Sequence, residues 1–546
     1  MKTTPAVSRR CRVTGAQRPD QVDDGERSMS VNREIELKGA IRSEYLDRVE
    51  TLPAIERRTV GRTKTRKLVT VYFDTPNYAL RRLGLSLRVR KVGRAYVQCV
   101  KQAHKKLGGI LVRTEWEGPV PSQAPAISVI ENKALRRRIK RVGIEHLQPV
   151  FRTDVLRRSR TLKFEDGSTA SIDIDVGDIL AGDASEPIGE FELELETGAP
   201  ERIFELASEI GKTIPFRLAA PSKASRGYAL LTGDGPRPRK YVKVKLAKDA
   251  TVEQVLTELV QNCLDHLQAN EAATLATDDT EGVHQMRVAL RRLRAALRLF
   301  KSTLPEDQYG WGAREAKWLT GELSEARAWD VFSDEFLAPV ARLYGEECGF
   351  HALTAAVEQA RRRSRRRARD AIGTERYTEF LLHLSAWLSG QAWRDQPVTE
   401  RTTRLLDPIG AHCVQLLQKR DRSVRRRGRD IANLSGAALH ELRLAVKKLR
   451  YAVDFFESLY SKKQVKAYRR HLAGLQDGLG YLNDVAAADT LLRELALSGG
   501  GQTPPAWVHA GGLTVGWHRH AAIAAKERLV ETMTGFLRTE PFWHDG

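Results

Sequence analysis

The feature that most constrains the fold is a change in the periodicity of the apolar residues part-way along the chain. From Asn32 to about Leu231, apolar and polar residues alternate with a period of two, as in strands that bury one face. The Gly- and Pro-containing stretch Thr232 to Lys240 follows, and beyond it the period becomes 3.6. The sequence therefore predicts an α+β chain, in which an antiparallel β domain with a few helices precedes an all-α domain.

The chain is long enough for more than one domain, since 546 residues exceed what a single hydrophobic core usually serves. The predicted units are a disordered extension at 1–30, a β domain at 31–232, a linker at 233–245 and a helical domain at 246–540. The sequence shows no apolar signal core and no run long enough to span a membrane. The five cysteines have no CxxC or metal-ligand spacing, which fits a reducing compartment. We therefore expect a cytoplasmic protein.

The composition indicates an anionic partner. The formal net charge is +21, yet 69 acidic residues accompany the 90 lysines and arginines, so the chain is not simply a basic tail. Such a balance favours a polyanion as partner: a nucleic acid, a phosphate polymer or an acidic membrane surface.

The predicted strands carry an unusual number of ionisable side chains on one face. In "GEFELELE" four glutamates project together, at 190, 192, 194 and 196, and "LSLRVR" places Arg88 and Arg90 on one face. Like charges at this spacing repel each other unless cations lie opposite. Each strand alone fits a solvated edge. Together the strands favour a barrel whose charged faces line a polar tunnel. In such a tunnel carboxylates can hold a divalent metal, and Arg and Lys can bind phosphate.

These motifs together resemble the CYTH domains, the triphosphate tunnel metalloenzymes. The resemblance covers about residues 31–232 and rests on "EIELK", "LSLRVR", "CVKQ", "RTEWEG", "FRTDVLRRSR", "DIDVGDI", "GEFELELE" and "PSKASRGY", in the family's order. It implies an eight-stranded antiparallel β-barrel tunnel with flanking helices, which hydrolyses a triphosphate with Mg²⁺ or Mn²⁺.

The same resemblance implies a role for individual side chains. The implied metal ligands are Glu34, Glu36, Asp173, Asp175, Glu190 and Glu192. The implied substrate-binding residues are Lys38, Arg88, Arg90, Lys101, Glu115, Glu117, Arg152 and Lys223. Glu34, Glu36 and Lys38 are the implied catalytic residues. The resemblance leaves open whether Asp173 or Asp175 faces the metal, and the DxG match favours Asp175.

The helical half contains an internal repeat. "VHQMRVALRRLRAALRLF" from Val283 aligns without gaps to "LHELRLAVKKLRYAVDFF" from Leu439, which predicts two related helical-bundle units. Each copy places a histidine and three basic residues on one helical face. These residues are His284, Arg287, Arg291, Arg294, His440, Arg443, Lys447 and Arg450. Either face alone fits a solvated bundle helix, but its recurrence favours an anion site.

This repeat resembles the CHAD domain over about residues 246–540. The resemblance implies that the eight recurring residues bind inorganic polyphosphate, and the fusion of the two domains suggests that it places the enzyme at polyphosphate granules. With the CYTH resemblance it predicts metal-dependent hydrolysis of inorganic triphosphate to diphosphate and phosphate by one domain, and polyphosphate binding by the other.

Three other functions are open. The tunnel could hydrolyse or cyclise an organic triphosphate, such as thiamine triphosphate or ATP. Both domains could also bind polyphosphate without catalysis. Nucleic-acid binding fits the charge, but the sequence has no RRM, KH or helix-turn-helix pattern. We expect no membrane partner.

Overall fold

A computed structural model of the protein describes residues 30–107, 110–218, 221–344, 349–498 and 504–543. The predicted extension at 1–30 lies outside these residues, apart from Ser30. Nine strands occur in the described ranges: β1 (Ser30–Ala40), β2 (Thr59–Asp74), β3 (Leu85–Val92), β4 (Ala95–Leu107), β5 (Ile110–Val120), β6 (Gln148–Lys163), β7 (Thr169–Ala181), β8 (Ala184–Thr197) and β9 (Arg217–Leu218).

All nine strands belong to one antiparallel sheet, in the order β5-β4-β3-β2-β6-β7-β8-β1-β9. Strand β1 pairs with its neighbour β8 through residues 36–40 and also with β5, the first strand of that order, through residues 30–36. The prediction of eight strands is therefore one short. The additional strand, β9, is only two residues long and pairs with Gly39 and Ala40.

Six helices accompany the sheet: α1 (Ser43–Glu50), α2 (Pro53–Glu56), α3 (Ala79–Arg82), α4 (Lys133–Lys140), α5 (Glu201–Gly211) and α6 (Lys223–Thr232). Helix α6 begins where the Ser222 hydroxyl accepts a hydrogen bond from the Ser225 amide at 3.2 Å, which satisfies a free amide of the first turn. It packs closely against β6, since a Cβ at Gly227 would lie 2.2 Å from the Phe151 ring. This contact places the first turn of α6 beside the sheet.

The rest of the described chain is helical, as the 3.6 period predicts. The helices are α7 (Val252–Ala269), α8 (Glu271–Ala276), α9 (Thr280–Leu299), α10 (Glu306–Glu322), α11 (Ser324–Val331), α12 (Ala338–Tyr344), α13 (Phe350–Ile372), α14 (Glu375–Ser389), α15 (Glu400–Thr403), α16 (Ile409–Gly428), α17 (Gly436–Phe456), α18 (Lys462–Ser498) and α19 (Pro505–Arg538). A capping box starts α7, where Thr251 and Gln254 exchange side-chain to backbone hydrogen bonds. A π-helical stretch at Phe332–Leu337 joins α11 to α12. The architecture is thus an antiparallel sheet followed by a largely helical region.

One hydrophobic cluster contains residues of both the sheet and the helical region. Phe191 on β8 and Phe216 before β9 belong to the same buried cluster as Phe380 on α14. The Thr378 hydroxyl donates a hydrogen bond to the Phe216 carbonyl at 3.0 Å. Leu246, just beyond the predicted linker, is buried in the same core. Among the described helices, none combines the length and the apolar character that a membrane crossing requires.

Candidate functional site

Three carboxylates from two neighbouring strands meet on one face of the sheet. Asp175 on β7 is the cross-strand partner of Glu190 on β8, so both side chains face the same side. Glu192 lies two residues further along β8 and shares that face. One oxygen from each of the three lies within 4.8 Å of the others, and Asp175 and Glu190 are fully buried. Three negative charges in such a site require positive partners.

Two lysines supply part of that positive charge. Lys38 on β1 stands opposite Glu192, contacts its carboxylate, and donates from Nζ to Glu190 Oε1 at 3.0 Å. Lys223, the first residue of α6, lies 2.6 Å from Asp175 Oδ2 and 3.0 Å from Glu192 Oε1, and it also bonds Glu190. The ammonium groups therefore join β1 and α6 to the three carboxylates.

Arg157 on β6 supplies the third positive group. Its Nε and Nη2 donate to the two oxygens of Asp175 at 2.7 and 2.6 Å, a bidentate arrangement. Nη2 also donates to Glu192 Oε2 at 2.6 Å, and Nη1 bonds Asp173. We call the seven residues joined in this way the sheet cluster. Its members are Glu36, Lys38, Arg157, Asp175, Glu190, Glu192 and Lys223, with Glu36 included because its Oε1 lies 3.7 Å from Lys38 Nζ.

The pKa values within the sheet cluster show that its charges stabilise one another. Burial opposes ionisation of Glu192, but Lys223, Lys38 and Arg157 outweigh it and hold its pKa well below the usual range. Burial also opposes the charged form of Lys223, yet Glu192 and Asp175 raise its pKa well above the usual value. In Asp173, at the margin of the cluster, burial prevails and the pKa is raised.

The three carboxylates also suit a divalent metal ion. Mg²⁺ and Mn²⁺ prefer oxygen ligands, carboxylates above all. Glu190 Oε1 is bonded by both lysines, whereas the buried Oε2 accepts no hydrogen bond within the described part of the chain. A cation, Arg226, lies 3.7 Å from that oxygen. A buried carboxylate oxygen without a hydrogen-bond donor can serve as a metal ligand, so the residues fit such an ion.

A second ionic group lies on strands β3, β4 and β5. Arg88 Nη2 donates to Glu115 Oε1 at 3.3 Å, and Lys101 Nζ lies 2.9 Å from Glu115 Oε2. Burial disfavours the ionised carboxylate, but Lys101 and Arg88 prevail and lower the pKa of Glu115 to about 2. Arg90 Nε donates to the Thr70 hydroxyl at 3.3 Å. Burial lowers the pKa of Arg90, and the charges of Arg88 and Arg157 lower it further.

In the helical region, basic residues from both copies of the repeat come together. Arg287 and Arg291 on α9 and Arg443 and Lys447 on α17 form what we call the repeat cluster. Arg287 bonds the Ser324 hydroxyl and donates to the Thr320 carbonyl at 3.2 Å. The Nε atoms of Arg291 and Arg443 are buried and make no hydrogen bond to any described residue. Guanidinium groups left in this state are available to an anion.

The repeat cluster has almost no compensating negative charge. Asp484 approaches Arg443, but only to 3.8 Å. Burial and the charges of Arg443 and Arg291 lower the pKa of Lys447 from 10.5 to about 8. Burial and then Arg291 lower the pKa of Arg287 to about 10. The charged forms of Lys447 and Arg287 are therefore destabilised by burial and by neighbouring cations.

Comparisons with known proteins identify both regions. A family model described as the CYTH domain matches residues 32–228, and one described as the CHAD domain matches residues 258–493. This chain contains a CYTH domain and a CHAD domain. The predicted presence of both domains is confirmed.

Individual relatives match either one domain or both. A protein of Haemophilus influenzae named inorganic triphosphatase is 29% identical over 205 residues, which cover 36% of this chain and 55% of that protein. This chain thus spans about half the length of that relative. An uncharacterized protein of Mycobacterium tuberculosis is 25% identical over 83% of this chain and 87% of its own. The crystal structure of the CHAD domain from the plant Ricinus communis is 31% identical, with a TM-score of 0.48, and covers 55% of this chain and 97% of that one.

The structure brings most of the predicted CYTH residues together, with three exceptions. The side chain of Arg152 is 57% exposed, lies 3.7 Å from Asp154 and is apart from the sheet cluster. Glu117 is exposed on β5. The side chain of Glu34 lies outside the described residues, although its backbone pairs with Arg113. Of the two aspartates, Asp175 belongs to the carboxylate triad, in agreement with the DxG match, and Asp173 contacts Arg157 at its margin.

In the CHAD domain the other four predicted residues lie in different environments. Burial and then Arg327 lower the pKa of His284 to about 4, so this histidine is neutral near pH 7 and adds no charge to the site. His440 is exposed, with Nδ1 3.3 Å from the Asn483 side-chain oxygen. Arg294 and Arg450 are half-buried on α9 and α17. Burial and then the charge of Arg298, one turn further on, lower the pKa of Arg294.

Arg157 is the functional residue that the sequence reasoning missed. It lies five residues beyond Arg152 in "FRTDVLRRSR", and an odd separation on a strand places two side chains on opposite faces. The signal that could have found it is the alternation itself, since Phe151, Thr153 and Val155 are the buried positions and Arg157 continues their face.

Proposed function

We propose that the CYTH domain hydrolyses inorganic triphosphate to diphosphate and phosphate, with the help of Mg²⁺ or Mn²⁺. The sheet cluster is the single observation that carries this proposal. Its buried carboxylates can bind a divalent ion, and the second ionic group of the same sheet supplies cations able to bind phosphoryl oxygens. The relative named inorganic triphosphatase supports the choice of substrate class.

The proposed site is a tunnel, formed by the eight longer strands. Pairing of β1 with both β5 and β8 supports closure of the sheet. Helix α6 supports closure at one end, because Tyr228 packs against Phe151 at 5.1 Å between ring centroids, within an apolar group on the same strands. Such a tunnel would exclude bulk water and strengthen each ionic contact in it.

The sheet cluster and the second ionic group have different proposed roles, and the sheet cluster is the proposed metal site. Asp175, Glu190 and Glu192, with Glu36 beside them, would hold the divalent ion. When bound, that ion neutralises phosphate charge and lowers the pKa of a coordinated water. Arg157, Lys38 and Lys223 hold the carboxylates in place.

Binding of the substrate chain falls to the cations opposite these carboxylates. Arg88, Arg90 and Lys101 bind and orient the phosphoryl oxygens, and Glu115 fixes two of these cations through its hydrogen bond from Arg88 and its ion pair with Lys101. Phosphoryl transfer depends mainly on such positioning and charge stabilisation.

For the CHAD domain we propose binding of inorganic polyphosphate by the repeat cluster. The support is a group of four buried or half-buried cations that lack matching carboxylates, contributed equally by the two repeats. A tethered polymer-binding domain would raise the concentration of phosphate chains near the tunnel. The cytoplasmic location stays a prediction from the cysteine pattern.

The test is phosphate release from inorganic triphosphate, thiamine triphosphate and ATP, each with Mg²⁺, with Mn²⁺ and with chelator. We expect the inorganic substrate to be preferred and chelator to abolish the reaction. Glu36→Gln removes a buried carboxylate of the sheet cluster. Its matched control is Glu196→Gln, which alters an exposed side chain on β8. Unchanged phosphate release by Glu36→Gln would remove the catalytic assignment of this carboxylate, and no phosphate release by the original chain would leave only a binding role. Equal turnover of the organic triphosphates would contradict the substrate preference.

A further inference from the structure

A second basic site lies on α16 and α17, outside the repeat cluster. A groove between these two helices encloses about 670 Å³. Its lining contains one acidic residue, Glu441, and six cations, which we call the basic groove: Lys419, Arg420, Arg422, Arg426, Arg427 and Lys448. The two helices therefore concentrate positive charge around an open cavity.

The groove cations form no ion pair within the part of the chain that the structure describes. Within the described ranges, no carboxylate oxygen lies within 4.0 Å of any of the six. Arg425 on the same helix behaves differently. It forms an ion pair with Asp421 at 2.8 Å and donates to the Leu537 and Thr539 carbonyls at 2.8 and 2.7 Å. Arg425 thus connects α16 to the end of α19, whereas Lys419, Arg420, Arg422, Arg426 and Arg427 line the groove.

The other arginine-rich run of the chain shows that composition alone does not create such a site. On α13, Arg361 and Arg365 bind the buried Asp330, at 3.2 and 2.8 Å. Arg367 pairs with Glu322, also at 2.8 Å. Much of the charge of α13 is therefore neutralised within the fold, whereas the charge in the basic groove is not.

Three of the groove cations, Arg420, Arg427 and Lys448, are half-buried, whereas Lys419, Arg422 and Arg426 are exposed. Arg420 Nε is buried and makes no hydrogen bond to a described residue. Burial lowers the pKa of Lys448, and the charges of Arg298, Arg420 and Arg427 lower it further, against the opposing effect of Glu441. Burial and then Arg298 lower the pKa of Arg420 as well. An anion in the groove would relieve this repulsion.

We propose that the basic groove binds an extended inorganic polyphosphate chain, as a second anchoring segment next to the repeat cluster. This inference rests on the proposed polyphosphate binding by the CHAD domain. Lys447 of the repeat cluster and Lys448 of the groove are consecutive on α17, so a chain that crosses this helix can contact both sites. A long chain then gains affinity from two linked segments, which a triphosphate is too short to reach.

The lining favours a phosphate polymer over a nucleic acid. None of the described residues that line the groove is aromatic, so bases would find no ring to stack on. Arginine and lysine bind phosphate oxygens directly and suit a repeating anion without bases.

The test compares two double variants of the full chain, each of which removes two positive charges. Arg420→Gln with Lys448→Gln alters the groove. Arg363→Gln with Arg366→Gln alters two exposed arginines of α13 and is the matched control. Binding of long-chain polyphosphate, tripolyphosphate and single-stranded DNA is measured across a salt series, and thermal unfolding checks that both variants fold.

We expect the groove variant to bind long-chain polyphosphate at least about tenfold more weakly than the control variant, since charge-assisted hydrogen bonds are lost. The slope of log affinity against log salt should fall by about 1.4, at about 0.7 for each phosphate contact. Tripolyphosphate binding should change equally little in both variants.

Three results would overturn the proposal. If the two variants bind long-chain polyphosphate alike while the original chain binds it well, the groove is not a site and the repeat cluster alone carries the function. If the original chain does not bind polyphosphate, the proposed role of the CHAD domain fails together with the groove. If the groove variant loses DNA binding and keeps polyphosphate binding, the groove belongs to a nucleic acid.

Discussion

The sheet cluster and the repeat cluster are both buried sets of charged residues, but their charges are balanced in opposite ways. In the sheet cluster three cations contact several carboxylates each, and burial is overcome by these contacts. In the repeat cluster four cations face one another, with a single carboxylate at 3.8 Å from one of them. Charges of both signs are needed where a metal and a phosphate must bind together, whereas unmatched cations suffice for an anionic chain.

The pKa directions express the same difference. Lys223 in the sheet cluster has a raised pKa because its carboxylate partners outweigh burial. Lys447 in the repeat cluster has a lowered pKa because burial is reinforced by neighbouring cations. Removing a charge should therefore lower the free energy of unfolding in the sheet cluster, and should leave it unchanged or raise it in the repeat cluster.

The largest effect is expected for Glu192→Gln. This change leaves Lys38, Arg157 and Lys223 without the carboxylate that they share, and breaking a buried ionic network in this way costs about 3–5 kcal/mol. Chemical denaturation should show a fall of that size in the free energy of unfolding, and phosphate release should be lost.

Glu196→Gln on the same strand is the control for Glu192→Gln, since its side chain is exposed. A change of less than about 0.5 kcal/mol is expected there. If both variants unfold at the same denaturant concentration, the ionic network does not hold the CYTH domain together.

A second comparison sets Arg157→Gln against Arg152→Gln. The first removes the bidentate partner of Asp175 and should lower kcat/KM for triphosphate about 100-fold, on the scale of a lost charge-stabilising group. Arg152→Gln removes an exposed guanidinium on the opposite face of β6 and should change kcat/KM less than about twofold. Steady-state kinetics on both variants checks this, and the reverse order of effects would return Arg152 to the site.

The charge pattern alone was sufficient to place some of the charged side chains of β8 on one face. The alternation in "GEFELELE" indicated that Glu190 and Glu192 share a face and need cations. Lys223 came from the family resemblance, because the turn that starts α6 brings it from a distant part of the chain. Arg157 continues the alternating face of Phe151, Thr153 and Val155, but its alignment with Asp175 follows only from the pairing of β6 with β7.

The helical region shows a similar limit. The recurring offsets placed Arg287 and Arg443 on equivalent faces, but only the packing of α9 against α17 brings the two faces together. The neutral state of His284 depends on burial, which the sequence does not reveal. The basic groove was also hidden, because the two arginine-rich runs look alike in sequence and differ only in how many carboxylates surround them.

The repeat cluster should respond to charge removal in the opposite way to the sheet cluster. Arg291→Gln combined with Lys447→Gln removes two mutually repelling cations, so the free energy of unfolding should stay the same or rise by up to about 1 kcal/mol. Polyphosphate affinity should fall about 30-fold, as charge-assisted contacts are lost. Calorimetric titration and thermal unfolding measure the two quantities. A marked loss of stability would mean that these cations have partners that hold the fold.

The smallest effect is a dependence of polyphosphate affinity on pH. The pKa of Lys447 is lowered to about 8, so raising the pH from about 7 to about 9 removes most of its charge, and affinity should fall about fivefold. The free energy of unfolding should instead rise with pH. Between pH 8 and 10.5 Lys447 is mostly deprotonated in the folded state but still protonated in the unfolded chain, so raising the pH favours the folded state. His284, with a pKa of about 4, does not titrate in this range. Lys447→Arg keeps its charge at pH 9 and should flatten the affinity profile, whereas Arg363→Gln should leave it unchanged. An equally steep profile in Lys447→Arg would show that the pH dependence arises outside the repeat cluster.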